Sequence, residues 1–396
     1  MKNSILLIGS IIMILILNSC KKDYPNPDSN IECSLNFQSN SKNSQYQNLL
    51  DDYAKKGFVG LTLLIDNPAD GLWMGSSGFA DIEHKIKMTP CHTHHTASIF
   101  KSYIAVVIMQ MVQEGKIDLD DYVSKYVLAS ILNKLPNGKK VTIKNLLQHR
   151  SGMPDIFEID FLMDFFNNPT RSYSIEELLT YLYDMKAKSE PGTTFYYSDA
   201  NFALLSLVIN SIDGDYGQSI NARIIQRLNL DETFFIENKY QSPYGLADSY
   251  WDRYGDGKIE NISDIQMALT AGLRGTDGII TSANDMKIFI QALFNSSIVS
   301  TSSLVQMTSS IDVPKSEQDK HGITGYGLGL MRVNVGKNSW YGHLGSHIGS
   351  GAIALHNPAK NITIVVFQNT GTFFSDKIKP LFFNQLVKDI EEIAYK

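Results

Sequence analysis

The chain of 396 residues is poor in cysteine, carries no excess of positive charge and has no apolar run long enough to span a bilayer comfortably. It has three cysteines, and its 41 acidic residues outnumber its 35 lysines and arginines, for a net charge of −6. No basic run with interleaved aromatic residues occurs, so nucleic acid is not an expected partner. The apolar run at the N-terminus, residues 5–17, falls short of the roughly 20 residues that a transmembrane helix needs. The composition, 43% hydrophobic and 19% charged, is that of a globular protein with an ample core.

The N-terminus resembles the signal peptide of a bacterial lipoprotein. A short basic start precedes the apolar run, and Leu17-Asn18-Ser19-Cys20 closes it. In such signals the cysteine is lipidated and becomes the first mature residue. The resemblance therefore implies a signal peptide over residues 1–20, lipidation of Cys20 and membrane attachment through acyl chains. Because Lys21 and Lys22 follow instead of aspartate, we expect an exported cell-envelope protein of the outer membrane, on its periplasmic or surface face.

Residues 21–45 are polar and rich in Asn, Ser and Pro, which predicts a flexible linker between the lipid and the folded domain. The domain itself is expected over residues 46–396. Cys33 and Cys91 remain once Cys20 is assigned to the lipid. An exported context permits a disulfide between them, but a sequence does not give their distance, so pairing and two free thiols both stay open.

Ser98 and Lys101 open a long apolar run that ends at Gly115. A segment that is apolar almost all round predicts a buried helix. If this helix begins at or just before Ser98, the serine hydroxyl and the lysine amine lie on one face, next to free backbone N–H groups. Burial disfavours the charged form of lysine and moves it toward acting as a base. The pair therefore indicates a nucleophile with an activating amine.

The same spacing has a structural interpretation, in which Ser98 caps the helix and the lysine extends toward solvent. Ser-x-x-Lys also occurs by chance, and Ser39 with Lys42 is an example in the expected linker. Other parts of the chain must decide between the two interpretations.

Two later stretches present polar groups from rigid backbone. In the first, a Pro-Gly turn leads through Tyr197-Ser198-Asp199 into an apolar helix, where a phenol near Ser98 could relay a proton. Alternatively Tyr197 packs in the core and Asp199 caps the helix. In the second, His343-Leu344-Gly345-Ser346 is a glycine-rich strand that could pair with a substrate amide and donate an N–H to an oxyanion, or simply form part of a sheet.

Two stretches suggest metal sites, and we assign neither. Residues 91–95 hold a cysteine and three histidines, but side chains alternate along a strand and cannot all face one ion, so a strand is expected. Residues 252–260 look like a calcium loop, but Tyr254 occupies a ligand position, and Asp256-Gly257 predicts a hairpin turn. His149 is expected to be structural.

Taken in order, the Ser-x-x-Lys, Tyr-Ser-Asp and His-Leu-Gly stretches resemble the motifs of the serine β-lactamase and penicillin-binding protein superfamily. The resemblance is strongest to its class C branch and spans roughly residues 46–390. It implies an α+β fold, with an antiparallel sheet flanked by the N- and C-terminal helices and a mainly helical region at about residues 120–270. The active site would lie in the cleft between the two.

The resemblance also implies roles for individual residues, without metal or cofactor. Ser98 would be the nucleophile, Lys101 its general base, Tyr197 a proton shuttle and His343 the basic residue of the third motif. The oxyanion hole would use the N–H groups of Ser98 and Ser346, and Asp199 and Gly345 would bind substrate.

Two departures from the motifs bear on the substrate. Asp199 replaces the more usual asparagine, and Leu344 replaces a threonine that often helps to hold a substrate carboxylate. The first change replaces an amide donor with a negative charge. The second disfavours D-Ala-D-Ala ends and β-lactams, since both carry such a carboxylate. We expect a lipid-anchored serine hydrolase that acts through an acyl-enzyme on an ester or amide, with a small molecule or a peptide as substrate. The alternatives are a D,D-carboxypeptidase or β-lactamase, and a non-catalytic penicillin-binding sensor.

Overall fold

The structure, a computed structural model, describes residues 31–236, 245–316, 318, 322–373, 375 and 377–396. The predicted signal peptide, the lipidation site Cys20 and residues 21–30 of the predicted linker lie outside these residues. Among the described helices, none has both the length and the hydrophobicity to cross a membrane.

The centre of the fold is a nine-stranded sheet whose strands all pair antiparallel, in the order β3-β2-β1-β14-β13-β12-β11-β10-β9. The described strands are β1 Gly60–Asn67, β2 Gly71–Asp81, β3 Ile86–Lys87, β4 Thr93–His95, β5 Thr233–Phe235, β6 Tyr250–Trp251, β7 Glu260–Asn261, β8 Ile279–Ser282, β9 Ile311–Asp312, β10 Gly325–Tyr326, β11 Met331–Val335, β12 Asn338–Ser346, β13 Gly351–Asn357 and β14 Ile362–Gln368. Because β1 pairs with β14, the two ends of the chain build one sheet. The predicted antiparallel sheet is confirmed.

Helices cover both faces of this sheet and fill the middle of the chain. The α-helices of the described residues are α1 Asn43–Lys55, α2 Phe100–Gln113, α3 Ala129–Leu132, α4 Ile143–Leu147, α5 Ile159–Asn167, α6 Ile175–Thr180, α7 Asp199–Asp213, α8 Tyr216–Ile220, α9 Gln226–Leu228, α10 Ser263–Gly272, α11 Ala283–Phe294, α12 Thr301–Thr308, α13 Ile378–Pro380 and α14 Val387–Ala394. Within residues 120–270 lie α3 to α9 and most of α10, together with the short strands β5, β6 and β7. The α+β class expected from the sequence is therefore confirmed.

Alternation along the strands divides the core into two layers. Leu61, Leu63 and Ile65 of β1 face one side and pack with α1 and the C-terminal helices, whereas Leu64 faces the other side. That second side holds α2, α11 and the helical region. Helix α2, which begins two residues after Ser98, thus lies between the sheet and the helical region.

The structure corrects the end of the predicted linker. Helix α1 begins at Asn43, and Cys33 forms a disulfide with Cys91. Lys42 is 9% exposed, and its Nζ lies 2.5 Å from a carboxylate oxygen of Asp70. Polar side chains in this stretch form hydrogen bonds with the backbone of a turn; for example, the Asn40 side-chain oxygen accepts the Lys42 backbone N–H. Composition alone does not distinguish such residues from solvated ones.

Candidate active site

Ser98 lies in a short 3₁₀ turn, Ala97–Ile99, that leads directly into α2. The preceding residue, Ala97, has φ +50, a left-handed conformation that costs a non-glycine residue about 1 kcal/mol. Thr96 holds the turn to β8, because its hydroxyl donates to the carbonyl oxygen of Ile279 at 3.0 Å. The predicted buried helix is confirmed, and it ends before Gly115, whose φ is +69. Ser98 is therefore the half-buried residue at the start of an otherwise buried segment.

Lys101 lies one turn further along the same helix and contacts both Ser98 and Asp199. Its Nζ is 3.1 Å from the Ser98 hydroxyl oxygen and 2.6 Å from an Asp199 carboxylate oxygen. The lysine side chain is 0% exposed. The Asp199 carboxylate gives this buried amine an oppositely charged partner.

Tyr197 and Asp199 come from the loop that enters α7, and His149 holds this loop in place. The Tyr197 and His149 rings stack with centroids 4.2 Å apart. His149 Nδ1 accepts hydrogen bonds from the Ser198 backbone N–H at 3.2 Å and from the Asn201 side-chain amide at 3.0 Å. Burial lowers the pKa of His149 well below its ordinary value, so the ring is neutral and suited to this accepting role. The expectation that His149 is structural agrees with these contacts.

The Tyr197 phenol is held in its neutral form. Burial, and then the negative charge of Asp199, raise the pKa of Tyr197 well above its ordinary value, and a contact with Ser98 acts in the opposite direction. The hydroxyl has no hydrogen-bond partner of ordinary geometry among the described residues. Lys101 Nζ lies 5.2 Å from the centroid of the Tyr197 ring. Tyr197, about a hundred residues further along the chain, thus joins Ser98 and Lys101 in one group.

Asp155 joins this group, and sequence reasoning missed it. One of its carboxylate oxygens accepts the backbone N–H groups of Asp199 and Ile156, each at 2.8 Å. Burial raises the pKa of Asp155 to about 7, and the nearby charge of Asp199 acts in the same direction. A carboxylate just after the Gly-Met-Pro turn was the available signal, but turns rich in acidic residues are common on protein surfaces. We call Asp155, Tyr197 and Asp199 the helical wall of the site.

Strand β12 forms the opposite side, and we call Leu344, Gly345 and Ser346 the sheet wall. A methyl group at Gly345 would overlap the carbonyl oxygen of Thr96 and would lie 3.1 Å from the Ala97 side chain. Glycine therefore allows β12 to approach the turn that carries Ser98. The Ser346 hydroxyl lies 2.7 Å from the Thr372 hydroxyl, which anchors its side chain.

His343 lies behind the sheet wall, not in it. The side chain is 0% exposed; its Nδ1 donates to the Leu344 carbonyl at 2.7 Å, and its Nε2 accepts from the Tyr326 hydroxyl at 3.0 Å. Burial, and then the charge of Lys101, lower the pKa of His343 to about 3. The ring is therefore neutral, and it does not line the pocket described next.

The two walls enclose a pocket of about 410 Å³. Ser98, Asp155, Tyr197, Asp199, Leu344 and Ser346 all line it, which brings most of the predicted site residues together. Much of the remaining lining is apolar or aromatic. This apolar group comprises Phe157, Leu162, Phe165, Phe166, Leu269, Leu273, Ile323, Met331, Ile348, Phe373 and Phe383. The arrangement can hold a small organic substrate with its carbonyl at Ser98.

The stretches that suggested metal sites have other roles. Residues 93–95 form β4, as predicted, and the His94 and His95 rings contact Thr62 and Thr270 respectively. Strands β6 and β7 pair antiparallel across the predicted hairpin turn. Elsewhere, carboxylates of Asp81, Glu83 and Asp248 lie within 4.8 Å of one another. Tyr250 donates to Glu83 and Asn261 donates to Asp248, and we assign no metal to this cluster.

Sequence comparisons relate the chain to penicillin-binding and related proteins. Protein flp from Staphylococcus aureus (strain MW2) is 25% identical over 353 residues, which is 86% of this chain and 65% of that protein. The putative penicillin-binding protein PbpX from Bacillus subtilis (strain 168) is 27% identical over 260 residues, 65% of this chain and 61% of that protein. The chain thus spans just under two thirds of these curated relatives.

Solved structures with a similar fold include two that match almost end to end. D-amino acid amidase from Ochrobactrum anthropi SV3 superposes with a TM-score of 0.77 at 23% identity, covering 89% of this chain and 98% of that one. A penicillin-binding protein from Bacillus halodurans gives a TM-score of 0.71 at 23% identity, covering 88% and 98%. The Beta-lactamase family model matches residues 47–382. The chain therefore belongs to the beta-lactamase family, within the serine β-lactamase and penicillin-binding protein superfamily.

Proposed function

We propose that the protein is a serine hydrolase that cleaves an ester or amide through an acyl-enzyme on Ser98. The observation that carries this proposal is the 3.1 Å contact between Lys101 Nζ and the Ser98 hydroxyl oxygen at the edge of an enclosed pocket. A serine hydroxyl within hydrogen-bond reach of an amine is the arrangement that activates a weak nucleophile. Membership of the beta-lactamase family supports the same chemistry.

In the first half of the reaction Ser98 attacks the substrate carbonyl while the neutral Lys101 amine takes its proton. The Asp199 carboxylate, 2.6 Å from that amine, stabilises the ammonium ion that forms. The backbone N–H groups of Ser98 and Ser346 donate to the developing oxyanion. Tyr197, protonated because its pKa is raised, donates a proton to the leaving group as the carbon–oxygen or carbon–nitrogen bond breaks, and it regains that proton from Lys101.

In the second half, water attacks the acyl-enzyme and the same groups run in reverse. Lys101 and Tyr197 accept the water proton and return one to the Ser98 oxygen as the acid product leaves. We assign His149 and His343 as positioning residues, because the first holds the loop of the helical wall and the second supports β12 from behind. Gly345 serves through its small size, which lets the Ser346 N–H approach Ser98.

The substrate we propose is one without a carboxylate beside its reacting carbonyl. Asp155, Asp199 and Asp277 all line the pocket, and their negative charge opposes a substrate carboxylate. Leu344 supplies no hydroxyl to hold one, and the buried, neutral His343 supplies no charge. This disfavours D,D-peptidase and β-lactamase activity, so we place esters and amides without a carboxylate first.

Intact-mass spectrometry and kinetics on the chain lacking residues 1–20 test the proposal. With p-nitrophenyl acetate we expect a transient acetyl adduct and steady turnover, both lost in Ser98→Ala. Ser102→Ala is the matched control, because Ser102 is a buried serine of the same helix that hydrogen-bonds to Gly329 and lies outside the pocket. Ester turnover that survives Ser98→Ala unchanged would overturn the mechanism. A penicillin adduct that never hydrolyses, without ester turnover, would favour the sensor alternative.

We also propose that the protein is exported and anchored to a membrane through Cys20. The disulfide between Cys33 and Cys91 supports export, because disulfides persist in oxidising compartments. A lipid on Cys20 would hold the domain close to the membrane, because only a short segment separates Cys20 from Cys33. We propose that this membrane is the outer membrane. Cell fractionation of wild type and Cys20→Ala tests this. We expect the variant to leave the membrane fraction, and equal membrane retention of both would contradict the anchor.

A further inference from the structure

Helix α5 presents apolar side chains on two opposite faces. Phe161 and Phe165 point into the core and are 0% and 3% exposed. Ile159, Met163 and Phe166 share the opposite face and are 67%, 56% and 44% exposed. Within the described part of the chain, no other helix exposes more than one large hydrophobic side chain. Clustered exposure of this kind indicates a contact surface, whereas single exposed residues are ordinary.

The exposed face of α5 continues onto the hairpin of β6 and β7. The Phe166 ring stacks on the Trp251 ring of β6, with centroids 6.1 Å apart. The Arg253 guanidinium lies 5.1 Å from the centroid of the Trp251 ring, and Tyr254 is 75% exposed. Tyrosine and arginine beside apolar side chains are typical of a surface that meets a lipid–water interface. We call this surface the apolar rim; it consists of Ile159, Met163, Phe166 and Tyr254.

The apolar rim lies at the mouth of the pocket. Phe166 belongs to both, because it lines the pocket and is also exposed. Leu162, from the same face of α5, lines the pocket and is half-buried. Ile159 and Met163 do not line the pocket. Contact with a substrate therefore accounts for part of this face and leaves the exposure of Ile159 and Met163 unexplained.

We infer that the apolar rim docks on the lipid surface of the membrane to which the protein is anchored, so that the mouth of the pocket faces the bilayer. This inference goes beyond the proposed function, and it rests on the proposed anchor at Cys20 for the identity of its partner. Docking would bury the exposed side chains of the rim at the boundary between headgroups and acyl chains, as interfacial helices do.

The chain between the anchor and the domain is long enough for this contact. Ile31, the first described residue, packs on Gly245, where an added methyl group would lie 2.6 Å from Ile31 Cδ1. From Gly245, six residues lead to Trp251 beside the rim and span at most about 22 Å. The ten residues 21–30 span at most about 36 Å. A lipid on Cys20 and the apolar rim can therefore occupy the same membrane surface.

The size of the rim favours a membrane over a protein partner. A specific protein interface buries roughly 800 Å² on each partner. Even a fully exposed aromatic side chain contributes only about 150–250 Å², and the four side chains of the rim are partly buried. A membrane requires less area, because the anchor would make docking intramolecular and raise the effective concentration of the lipid surface.

The charges around the rim favour neutral headgroups. Helix α5 carries two aspartates and no basic residue, and residues 252–260 carry three acidic residues and two basic ones. This excess of negative charge opposes anionic lipid. We therefore expect docking on zwitterionic lipid, driven by apolar burial and insensitive to salt.

Tethered vesicles test this inference. The chain starting at Cys20 is coupled through that thiol to phosphatidylcholine vesicles that contain a maleimide lipid. Cys33 and Cys91 form a disulfide and do not compete for the maleimide. The coupling supplies the tether whether or not the cell adds a lipid to Cys20. A failure of docking is thereby distinguished from a failure of the proposed anchor, which the Cys20→Ala fractionation detects.

The readout is quenching of tryptophan fluorescence by brominated phosphatidylcholine. Trp251 lies beside the rim, whereas Trp73 and Trp340 are buried in the core layer on the other side of the sheet. We expect the brominated lipid to reduce the Trp251 fluorescence of the tethered wild type about two-fold, in low and in high salt alike. Trp251→Phe should abolish this quenching.

Ile159→Gln combined with Met163→Gln removes two side chains of the rim and retains good helix formers. We expect quenching in this double variant to fall at least about five-fold. Leu128→Gln combined with Val305→Gln is the matched control, because these side chains are 71% and 63% exposed outside the rim, and it should be quenched like the wild type. Without vesicles both double variants should hydrolyse p-nitrophenyl acetate like the wild type, since none of the four residues lines the pocket.

Several results would overturn the inference. They are no quenching in the tethered wild type, equal quenching in the wild type and the double variant of the rim, and quenching that persists in Trp251→Phe, which would mean that another face meets the lipid. Self-association in solution that the double variant of the rim loses, without quenching on vesicles, would assign the rim to a second copy of the chain and would also overturn it. Each of these outcomes leaves Ser98-dependent hydrolysis, and thus the proposed function, untouched.

Discussion

The helical wall and the sheet wall of the pocket contribute in different ways. The helical wall acts through side chains, since Tyr197 presents a phenol, Asp199 meets Lys101 and Asp155 presents a carboxylate oxygen. In the proposed mechanism the sheet wall acts through its main chain. Gly345 has no side chain to hold β12 away from Thr96, and Ser346 would contribute its backbone N–H group. The difference teaches that the helical wall is damaged by removing atoms, whereas the sheet wall is damaged by adding them.

The largest effect should come from removing the amine that the helical wall surrounds. We expect Lys101→Met to reduce kcat/KM for p-nitrophenyl acetate by about 10³-fold or more, because general-base catalysis is lost. The variant also leaves the Asp199 carboxylate buried without a cation, which should lower the free energy of unfolding by about 3–5 kcal/mol.

A double variant distinguishes the two consequences. Lys101→Met combined with Asp199→Asn removes the unpaired charge, so it should recover most of the stability in a denaturant titration and none of the activity. Recovery of activity in the double variant would show that Lys101 acts structurally.

On the sheet wall, the addition of a single carbon atom should also reduce activity strongly. We expect Gly345→Ala to lower kcat/KM about 10²-fold, because the methyl group pushes β12 away from Thr96 and withdraws the Ser346 N–H from the oxyanion. Ser346→Ala keeps that N–H group, so it should lower kcat/KM by less than about five-fold. A larger loss of kcat/KM in Ser346→Ala than in Gly345→Ala would contradict the proposal that the sheet wall acts through its main chain.

Asp199→Asn should have a smaller effect on the helical wall than Lys101→Met, because the amide oxygen of asparagine can still accept a hydrogen bond from the Lys101 amine. We expect kcat/KM for p-nitrophenyl acetate at pH 8 to change by less than about ten-fold. A loss as large as that caused by Lys101→Met would contradict this ranking.

The smallest effect should be on the pH dependence of stability. It arises from a feature that the two walls share, since a buried neutral histidine lies behind each of them. Burial lowers the pKa of both His149 and His343, and the same holds for His94, His95 and His356. Each histidine binds a proton more readily in the unfolded chain, at about pH 6.5, than in the folded one. The stability that these neutral histidines contribute is therefore fully present above pH 6.5, and it is lost as the pH falls below that value.

Four carboxyls and His84 act in the opposite direction. The pKa of Asp155 is raised to about 7 and that of Asp248 to about 6, and the pKa values of Asp285, Glu391 and His84 are also raised. Five histidines outweigh them, so the free energy of unfolding should fall by at least about 1 kcal/mol between pH 7 and pH 5. Urea titrations at the two pH values provide the measurement. Greater stability at pH 5 would mean that the carboxyls dominate.

Local patterns in the sequence predict much of this architecture. The apolar run after Ser98 predicts α2, and short apolar runs predict β1, β13 and β14. Residues 326–331 form β10, a turn and β11, because the chain reverses at Gly329, where φ is +71. The disulfide between Cys33 and Cys91 could not be predicted, since it depends on a distance between segments 58 residues apart.

By itself, the sequence determined the placement of Ser98 and Lys101 on one face of one helix, because the helical period sets the relation of residues three apart. Only the tertiary structure decided what surrounds that pair. Asp199 pairs with the lysine, Asp155 joins from a separate turn, and His343 lies behind the strand. The reason is physical: these neighbours meet because β12 and the helical region pack against opposite sides of one turn, and no local period records such long-range contacts.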